Sequence, residues 1–207
     1  MISRLYRRAQ EFLLPLYGGL LPIRLEDIIN TDEQTSVTLA DWNKDLGAGT
    51  LWDLFAICLI TKVRSPPICF EIGTGHGRTT LHLALNSPKE SEIFTLDIST
   101  DPIVGSIFRD HIAGKAVHSL VGDSKTFDFT PWKSRVDLVL VDGNHEYEAV
   151  MRDTAIAFEL VSPDGCILWD DFTPGWPGVV QSLRETAQKH KIRRIVGTKL
   201  AYFAKDL

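Results

Sequence analysis

The sequence predicts an α/β fold, a Rossmann-like three-layer αβα sandwich whose mostly parallel, seven-stranded sheet ends in an antiparallel hairpin. Three observations support this prediction. Short apolar runs alternate with longer segments of helical periodicity. Residues 136–141 form the run Val-Asp-Leu-Val-Leu-Val, which is typical of a strand covered on both faces. Only Gly197-Thr198-Lys199 separates the last two apolar runs, as in a hairpin.

The first half of the domain begins with a long apolar run at residues 51–63, which favours a buried helix that Pro66 and Pro67 end. A short apolar run at 68–72, a helix-periodic one at 77–85 and a short one at 93–96 then predict strand, helix and strand. A helix over 103–112 leads to a strand over 116–121. Alternation of this kind builds a parallel sheet with helices on both faces.

The second half continues the alternation after the strand at 136–141. Tyr147, Met151, Ala155 and Phe158 recur every three or four residues, which predicts an amphipathic helix over 146–161. Pro163 and Gly165 are expected to end it. Residues 166–169 then form a strand and 179–189 a helix, and the hairpin of 192–196 and 200–203 closes the sheet.

Composition limits the classes of function. A chain of 207 residues with 44% hydrophobic residues can bury a core without disulfides or metals. Its formal net charge of -5 offers no positive field to a phosphate backbone, so no nucleic-acid partner is expected. Its three cysteines lack regular spacing and are expected to be reduced. No apolar run is long enough to span a membrane, and a cytoplasmic protein is predicted.

Residues 1–50 are predicted to be a helical segment and loop that cap the α/β domain of residues 51–207. Arg4, Arg7 and Arg8 precede an apolar stretch and mimic a secretion signal, but Glu11 and Pro15 interrupt this pattern. No small-residue cleavage site follows. We therefore expect an ordered cap or a contact with a partner, and a second copy of the chain is one candidate partner.

A glycine-rich turn, Gly73, Gly75 and Gly77, follows the first strand of the domain. Such glycines let the backbone bend sharply and let a ligand approach the N-terminus of the next helix. A tight turn without a ligand is the alternative. The spacing is G-x-G-x-G, and Arg78 stands where a dinucleotide fingerprint would have its third glycine, which counts against a nicotinamide cofactor.

Two carboxylates follow the next strands. Asp97 ends the second strand of the domain, where a carboxylate accepts hydrogen bonds from ribose hydroxyls, although it could instead cap the following segment. Asp123 follows the third strand and suits an exocyclic adenine amine, with a cap or turn as its alternative. Together with the glycine turn, these residues predict a nucleoside site at the carboxyl edge of the sheet.

The chain resembles class I S-adenosylmethionine-dependent methyltransferases through residues 70–77, Leu96-Asp97, Gly122-Asp123 and Val141-Asp142. The resemblance implies that the glycine turn lies against the methionine part of the cofactor, with the ribose and the adenine further along the same edge. It also implies that Glu71 supports the amino group. The cofactor-binding residues predicted in this way are Glu71, Gly73, Thr74, Gly75, Gly77, Asp97, Ile98, Asp123, Ser124 and Asp142.

Residues 142–150, followed by Asp170-Asp171-Phe172 after the next strand, resemble the small-molecule O-methyltransferase branch that includes macrocin and catechol O-methyltransferase relatives. This resemblance implies a divalent metal held by Asp142, Asp170 and Asp171, with an aspartate in place of the family's asparagine at the last position. The catalytic lysine of the catechol enzymes falls on His145, so the correspondence is incomplete there.

The chemistry of these residues agrees with such a site. Carboxylates at the ends of neighbouring parallel strands can converge on one ion, oxygen ligands suit Mg²⁺, and clustered carboxylates repel one another without a cation. In the alternative, Asp142 only positions the cofactor and acceptor, and Asp170 and Asp171 cap a loop. His145 could accept a hydroxyl proton, or be an ordinary histidine at a helix start. Trp169 and Trp176 could wall an aromatic or sugar acceptor.

The sequence therefore predicts S-adenosylmethionine-dependent O-methylation of a hydroxyl on a small molecule, assisted by Mg²⁺, with His145 and Asp142 as catalytic residues. Three alternatives stay open. The first is a metal-independent N- or C-methyltransferase of the same fold. The second is a nicotinamide or other nucleotide enzyme. The third is a non-catalytic nucleotide-binding module in which residues 5–29 recruit a partner.

Overall fold

The computed structural model describes residues 19–29, 34–40 and 50–205. The signal-like stretch and most of the loop expected before residue 50 lie outside these ranges. The strands are β1 (Leu21–Ile23), β2 (Ile68–Ile72), β3 (Glu92–Asp97), β4 (Val117–Val121), β5 (Val136–Val141), β6 (Val161–Trp169), β7 (Arg193–Ile195) and β8 (Ala201–Ala204). The helices are α1 (Leu25–Ile29), α2 (Leu51–Arg64), α3 (Arg78–Asn86), α4 (Ser106–Arg109), α5 (Tyr147–Leu160) and α6 (Pro177–Thr186). Two 3-10 turns span Ile112–Ala116 and Thr130–Trp132.

The strands form one sheet in the order β1-β7-β8-β6-β5-β2-β3-β4. Strand β8 is antiparallel to both of its neighbours, and the other pairs are parallel. The predicted fold class, with its terminal hairpin, is confirmed. The sheet has one strand more than predicted, because β1 from the expected cap pairs with β7. A run of three residues is too short to show a periodicity in the sequence.

Two apolar cores lie on opposite faces of the sheet. Helices α5 and α6 cover one face, where Val150 and Leu183 are buried, and α2 and α3 cover the other. Val139 of β5 belongs to the first core, whereas its neighbours Leu138 and Leu140 belong to the second. Because successive side chains of a strand point to opposite faces, a strand between two cores has to be apolar throughout. This arrangement confirms the three-layer architecture.

The carboxyl ends of the parallel strands meet at one edge because their registers align. Ile72 of β2 pairs with Leu96 of β3 and with Val141 of β5, and Val141 pairs in turn with Trp169 of β6. The loops that follow these four strands therefore leave the sheet side by side. Ligands of open α/β sheets bind at such an edge, and the predicted site residues lie in these loops.

A hydrogen bond connects the start of α2 to the turn between β7 and β8. Thr50 and Asp53 form a capping box, in which Thr50 Oγ1 accepts a hydrogen bond from Asp53 N–H and Thr50 N–H donates to Asp53 Oδ2. The other carboxylate oxygen of Asp53 accepts a hydrogen bond of 2.8 Å from the N–H of Lys199. This contact fixes the backbone of the turn that carries Lys199.

Two boundaries differ from the prediction. Strand β6 begins at Val161, directly after α5, because a register shift against β5 lets the strand include Pro163 and Gly165. The helix expected over 103–112 is shortened to α4. Gly105, with φ 72°, precedes α4, and the chain then turns into the 3-10 segment Ile112–Ala116.

Within the described ranges, none of the helices combines the length and apolar character that crossing a membrane requires. Cys58, Cys69 and Cys166 are free and buried, as predicted. Burial raises the pKa of the Cys58 and Cys69 thiols to about 12, so both are neutral near pH 7.

Candidate active site

Close backbone approaches explain two glycines of the turn between β2 and α3. Gly73 has φ 99°, and a Cβ there would lie 2.0 Å from the carbonyl oxygen of Asp142. Gly77 has φ 83°, and its Cβ would lie 2.4 Å from the ring of Phe108. Gly75 also has a positive φ, 49°, but faces open space. Gly73 and Gly77 therefore allow tight packing, and Gly75 leaves the turn open to a ligand.

Asp97 anchors the glycine turn from the end of β3. Its Oδ2 accepts hydrogen bonds from the N–H groups of Thr74, at 3.1 Å, and Gly75, at 3.0 Å. Its Oδ1 accepts one from Ser99 N–H at 2.9 Å, which closes a local turn, whereas the next helix, α4, follows Gly105. Asp97 also lines the cavity described next, and a carboxylate has lone pairs left for a further donor.

A cavity of about 520 Å³ opens at the carboxyl edge of the sheet. This volume is in the range of small-molecule sites. Seven of the predicted cofactor-binding residues line the cavity, namely Gly73, Gly75, Asp97, Ile98, Asp123, Ser124 and Asp142. The other lining residues were not predicted to bind the cofactor: Ile72, Leu96, Gly122, Lys125, Gly143, Asn144, Arg152 and Asp153.

Glu71, Thr74 and Gly77, which were also predicted to bind the cofactor, do not line this cavity. Glu71 is buried beneath the turn, where its Oε2 accepts hydrogen bonds from the hydroxyls of Thr80, at 2.5 Å, and Thr95, at 2.6 Å. The hydroxyl of Thr74 bonds that of Thr95 at 2.7 Å. Burial raises the pKa of Glu71 to about 7, although both hydroxyls oppose this shift. In this structure Glu71 and Thr74 stabilise the glycine turn through buried hydrogen bonds.

The part of the cavity that Ile98, Asp123 and Ser124 line combines an apolar wall with polar groups. Ile98 is 69% exposed. Asp123 Oδ1 accepts a hydrogen bond of 2.9 Å from Lys125 N–H, which makes the local turn considered for this residue. Ser124 Oγ donates to Asp153 Oδ1 at 2.7 Å. A flat ring with polar edges fits such surroundings.

A cluster of Asp142, His145 and Asp171 adjoins the cavity, and Asp142 belongs to both. His145 Nε2 lies 3.2 Å from Asp171 Oδ2 and 4.0 Å from Asp142 Oδ1. One donor atom from each residue lies within 4.8 Å of the other two. Among the described residues, the buried Nε2 atom has no hydrogen-bond partner of good geometry. An orphaned ring nitrogen between two carboxylates suits a metal ion or a substrate hydroxyl.

Asp170, the third carboxylate of the predicted metal set, does not belong to this cluster. Its Oδ1 accepts a hydrogen bond of 2.7 Å from Asp171 N–H, and it lines a small cavity beside Asp53 and Arg78. Burial, followed by the nearby charge of Asp171, raises the pKa of Asp170 to about 6. The structure thus brings together two of the three predicted carboxylates, with His145 beside them.

Asp171 has left-handed backbone geometry, with φ 57°. Non-glycine residues rarely adopt this conformation, and those that do are concentrated at functional sites. One carboxylate oxygen of Asp171 contacts the ammonium group of Lys199, and the other lies beside His145. Burial alone would raise the pKa of Asp171, but these two neighbours hold it below its ordinary value. Asp171 is therefore ionised at neutral pH.

Lys199, which contacts Asp171, is a further site residue that was not predicted, since in the sequence it is only part of a hairpin turn. Strand β8 pairs with β6, and this pairing brings the turn before β8 next to the loop after β6. Burial opposes the charged form of Lys199, but Asp171 and Asp170 raise its pKa above the ordinary value. No local sequence motif marks such a contact across 28 residues.

Asp142 lies in buried surroundings among other carboxylates. Burial raises the pKa of Asp142 well above its ordinary value, and Asp170, Glu71 and Asp171 raise it further. Lys199 offsets only part of this effect. A bound cation would favour the ionised form of Asp142.

The two tryptophans expected beside the site have different roles. Trp176 stacks on His145, with ring centroids 4.2 Å apart and an angle of 20° between the rings, and it is 43% exposed. Trp169 is buried, and its Nε1 donates a hydrogen bond of 2.9 Å to Thr154 Oγ1. Trp169 therefore belongs to the core, whereas Trp176 offers an aromatic surface beside the cluster.

A family model described as a methyltransferase domain matches residues 70–172. The match runs from β2 to the loop after β6, and thus includes the glycine turn and the cluster of Asp142, His145 and Asp171. No curated protein sequence matches the chain significantly.

Solved structures of methyltransferases share the fold. The O-methyltransferase TomG of Streptomyces achromogenes, involved in tomaymycin synthesis and solved with SAM, is 21% identical, with a TM-score of 0.61 over 78% of this chain and 82% of TomG. Methyltransferase PaMTH1 of Podospora anserina, solved with SAH, is 18% identical, with a TM-score of 0.60 over 72% and 75% of the two chains. An O-methyltransferase of Bacillus cereus, also solved with SAH, is 14% identical, with a TM-score of 0.58 over 96% and 97%.

Proposed function

We propose that this chain, in which residues 70–172 match a methyltransferase domain and which shares the fold of a SAM-bound O-methyltransferase, methylates a hydroxyl group of a small molecule with S-adenosylmethionine and with the help of a divalent ion. The position of Asp142 is the observation that carries this proposal. Asp142 lines the cavity that suits the cofactor and also lies 4.0 Å from His145 in the neighbouring cluster. An acceptor hydroxyl held at the cluster would therefore lie next to the cofactor.

The lining of the cavity supports the assignment of the cofactor. We place the ribose at Asp97 and the adenine between Ile98 and the turn of Asp123 and Ser124, where an apolar wall meets polar groups. The methionine part then lies against Gly73 and Gly75. Glu71, Thr74 and Gly77 act indirectly, by holding the shape of the turn. Bound S-adenosylmethionine supplies an electrophilic methyl group on a sulfonium.

The donor set of the cluster fits a divalent ion. Asp142 and Asp171 provide carboxylate oxygens, and the orphaned Nε2 of His145 provides a third donor. The carboxylates around Asp142, which raise its pKa beyond the effect of burial, also favour a cation, because a cation would stabilise the ionised form of Asp142. Mg²⁺ needs only one or two protein carboxylates, and a site that adds an imidazole also accepts Mn²⁺. The ion would lower the pKa of a bound hydroxyl.

The chain itself contributes positioning. Lys199 holds one oxygen of Asp171, and so directs the other oxygen toward His145. Trp176 packs on the ring of His145 and fixes its orientation. Alignment of two reactants in this way can lower a barrier by several kcal/mol, about 7–11 kcal/mol in favourable cases. In the overall reaction the hydroxyl oxygen bonds to the methyl carbon, the carbon–sulfur bond breaks, and the hydroxyl proton is released.

Methyl transfer without a metal is the second candidate, and the contact between Lys199 and Asp171 favours it. The Lys199 ammonium already places one positive charge among the carboxylates. In this mechanism, Nε2 of His145 accepts the hydroxyl proton itself, and Asp171 stabilises the resulting imidazolium. His145 is then a general base rather than a metal ligand.

Calorimetry with S-adenosylhomocysteine tests the assignment of the cofactor, and absence of binding at millimolar ligand would refute it.

Calorimetry with Mn²⁺ tests the ion directly. We expect binding to the wild type and to Asp110→Asn, a control at an exposed carboxylate, and weak or no binding to Asp171→Asn and His145→Gln. Turnover on a panel of hydroxyl acceptors should stop with chelator and return with Mg²⁺ or Mn²⁺. Turnover that is indifferent to chelator would favour the mechanism without a metal.

A further inference from the structure

Asp153, within α5, is a buried carboxylate at the wall of the cavity that we propose for the cofactor. Its exposed fraction is only 3%, and the part that remains accessible lies at this cavity. Aspartate is almost never buried to this extent without partners, because a charge that leaves water needs compensation. The partners of its two oxygens therefore indicate what the side chain does.

One oxygen of Asp153 has partners in the protein. Oδ1 accepts a hydrogen bond of 2.7 Å from Ser124 Oγ, and Arg152 Nε lies 3.6 Å from the same oxygen. Burial raises the pKa of Asp153, and the nearby charge of Asp123 adds to this effect. Ser124 and Arg152 lower the pKa, and so favour the ionised form, which can only accept hydrogen bonds.

The other oxygen, Oδ2, is open toward the cavity. In the part of the chain that the structure describes, no hydrogen bond reaches Oδ2, and this oxygen is not among the sealed polar atoms. Gly143, which also lines the cavity, keeps it accessible, since a Cβ at Gly143 would lie 3.4 Å from Oδ2. A bound ligand can therefore donate a hydrogen bond to Oδ2.

The neighbours of Asp153 show which part of the cofactor would reach this oxygen. Ser124, which bonds Asp153, lies in the turn where we place the adenine, whereas the ribose is placed at Asp97. The exocyclic amine is the hydrogen-bond donor of adenine, and the ring nitrogens are acceptors. Because Oδ2 can only accept, the amine is the group of the base that it can bind.

Asp123 is the alternative acceptor for the amine. Its Oδ1 accepts a hydrogen bond from Lys125 N–H, and its side chain is more exposed than that of Asp153. Water can replace a ligand at an exposed carboxylate, whereas a buried acceptor that loses its donor remains unpaired in surroundings of low dielectric constant. The buried Asp153 therefore suits discrimination between bases better than Asp123.

We propose that Oδ2 of Asp153 accepts a hydrogen bond from the exocyclic amine of the cofactor, and that this contact makes the site selective for adenine among purines. This inference rests on the proposed function, because it requires the cofactor in this cavity. Gly143 and Ser124 are positioning residues. Gly143 leaves Oδ2 accessible, and the hydroxyl of Ser124 orients the carboxylate.

Calorimetry with two ligands tests the proposal. One is S-adenosylhomocysteine, and the other is its analogue with unsubstituted purine in place of adenine, which lacks only the exocyclic amine. We expect the wild type to bind S-adenosylhomocysteine at least about tenfold more tightly than the analogue. Asp153→Ala should reduce this ratio to less than about threefold, by weakening S-adenosylhomocysteine binding more than analogue binding. Asp123→Ala should keep a ratio of at least about tenfold, even if both ligands bind more weakly.

Gly143→Ala is a second variant, which retains the carboxylate and serves if Asp153→Ala does not fold. Gly143 does not have a positive φ, so alanine introduces no backbone strain there. Its methyl group would cover Oδ2 and should also reduce the ratio to less than about threefold. Circular dichroism and binding of the purine analogue check that each variant is folded.

The outcomes separate this inference from the proposed function. A wild-type ratio of less than about threefold, with S-adenosylhomocysteine still bound, would overturn the role of Asp153 and leave the cofactor assignment intact. Loss of the ratio in Asp123→Ala, with its retention in Asp153→Ala and Gly143→Ala, would transfer the role to Asp123. Absence of S-adenosylhomocysteine binding to the wild type would overturn the proposed function, and this inference with it.

Discussion

The ammonium group of Lys199, in the turn between β7 and β8, contacts Oδ1 of Asp171, at the end of β6. Both side chains are largely buried, with exposures of 29% and 16%. Asp171 in turn lies beside His145. Lys199 therefore sets the orientation of the carboxylate for which we propose a role in binding the ion or in supporting the base.

The first prediction concerns this contact. Lys199→Met should lower kcat at least about tenfold, because Asp171 loses the partner that orients it. Folding stability should fall by about 1–3 kcal/mol, since a charge-assisted hydrogen bond is lost in a partly buried place. S-adenosylhomocysteine affinity should change less than about twofold, because Lys199 does not line the cavity that we propose for the cofactor. Lys205→Met, at an exposed position, is the matched control, and unchanged turnover of Lys199→Met would contradict the role assigned to it.

The second prediction compares two glycines of the same turn. Gly73→Ala places a methyl group 2.0 Å from the carbonyl oxygen of Asp142, whereas Gly75→Ala meets open space. Both residues have positive φ. We expect a loss of about 1–2 kcal/mol for Gly75→Ala from backbone strain alone, and about 2–5 kcal/mol for Gly73→Ala, which adds a steric clash. Urea denaturation measures both values, and equal losses would mean that the close approach at Gly73 is not important for stability.

The third prediction concerns Asp97. Asp97→Asn should weaken S-adenosylhomocysteine binding about tenfold to a hundredfold, because a neutral amide is a poorer acceptor for ribose hydroxyls and for the backbone of the turn. Calorimetry measures the change. Asp110→Asn removes an exposed carboxylate elsewhere and should bind like the wild type. Wild-type affinity of Asp97→Asn would place the ribose elsewhere in the cavity.

The fourth prediction concerns the pH dependence of stability through Glu71. The ordinary pKa of a glutamate is 4.5, and burial raises that of Glu71 to about 7 in the folded state. The folded protein therefore binds more protons than the unfolded chain between these values, and stability falls as the pH rises from about 4.5 to about 7. Above pH 7 the contribution is constant and unfavourable, by up to about 3 kcal/mol.

Glu71→Gln cannot ionise, and it keeps an oxygen that can accept the hydrogen bonds from Thr80 and Thr95. The melting temperature of the variant relative to the wild type should therefore rise by several degrees from pH 5 to pH 8. The comparison cancels the titration of the other carboxylates, because both proteins share them. A difference in melting temperature that is constant with pH would show that Glu71 does not titrate in this window.

Much of the fold could be predicted from the sequence because the relevant signals are local. The β-branched run of β5 shows that both of its faces are covered, and the turns that end the strands carry Gly73, Asp97 and Asp142 in the expected order. Strand β1 could not be predicted, because three residues carry no periodicity and their pairing with β7 depends on a segment distant in sequence.

The candidate site was predictable only in part. Asp142, His145 and Asp171 follow the strand ends that the sequence indicates, and they meet because the strands are adjacent. The different orientations of Asp170 and Asp171 were not predictable, since they arise from the left-handed backbone at Asp171. The sequence of an Asp-Asp pair does not indicate which carboxylate turns toward the site.

The layered α/β fold, the glycine turn and the carboxylates at the ends of the strands follow from local signals, because apolar periodicity and the backbone freedom of glycine act over a few residues. The contact between Lys199 and Asp171, and the position of Glu71 beneath the cavity rather than in its wall, arise only when the chain is folded. These features depend on how distant strands pair and on where a buried side chain finds its hydrogen-bond partners, and neither is encoded in a local pattern.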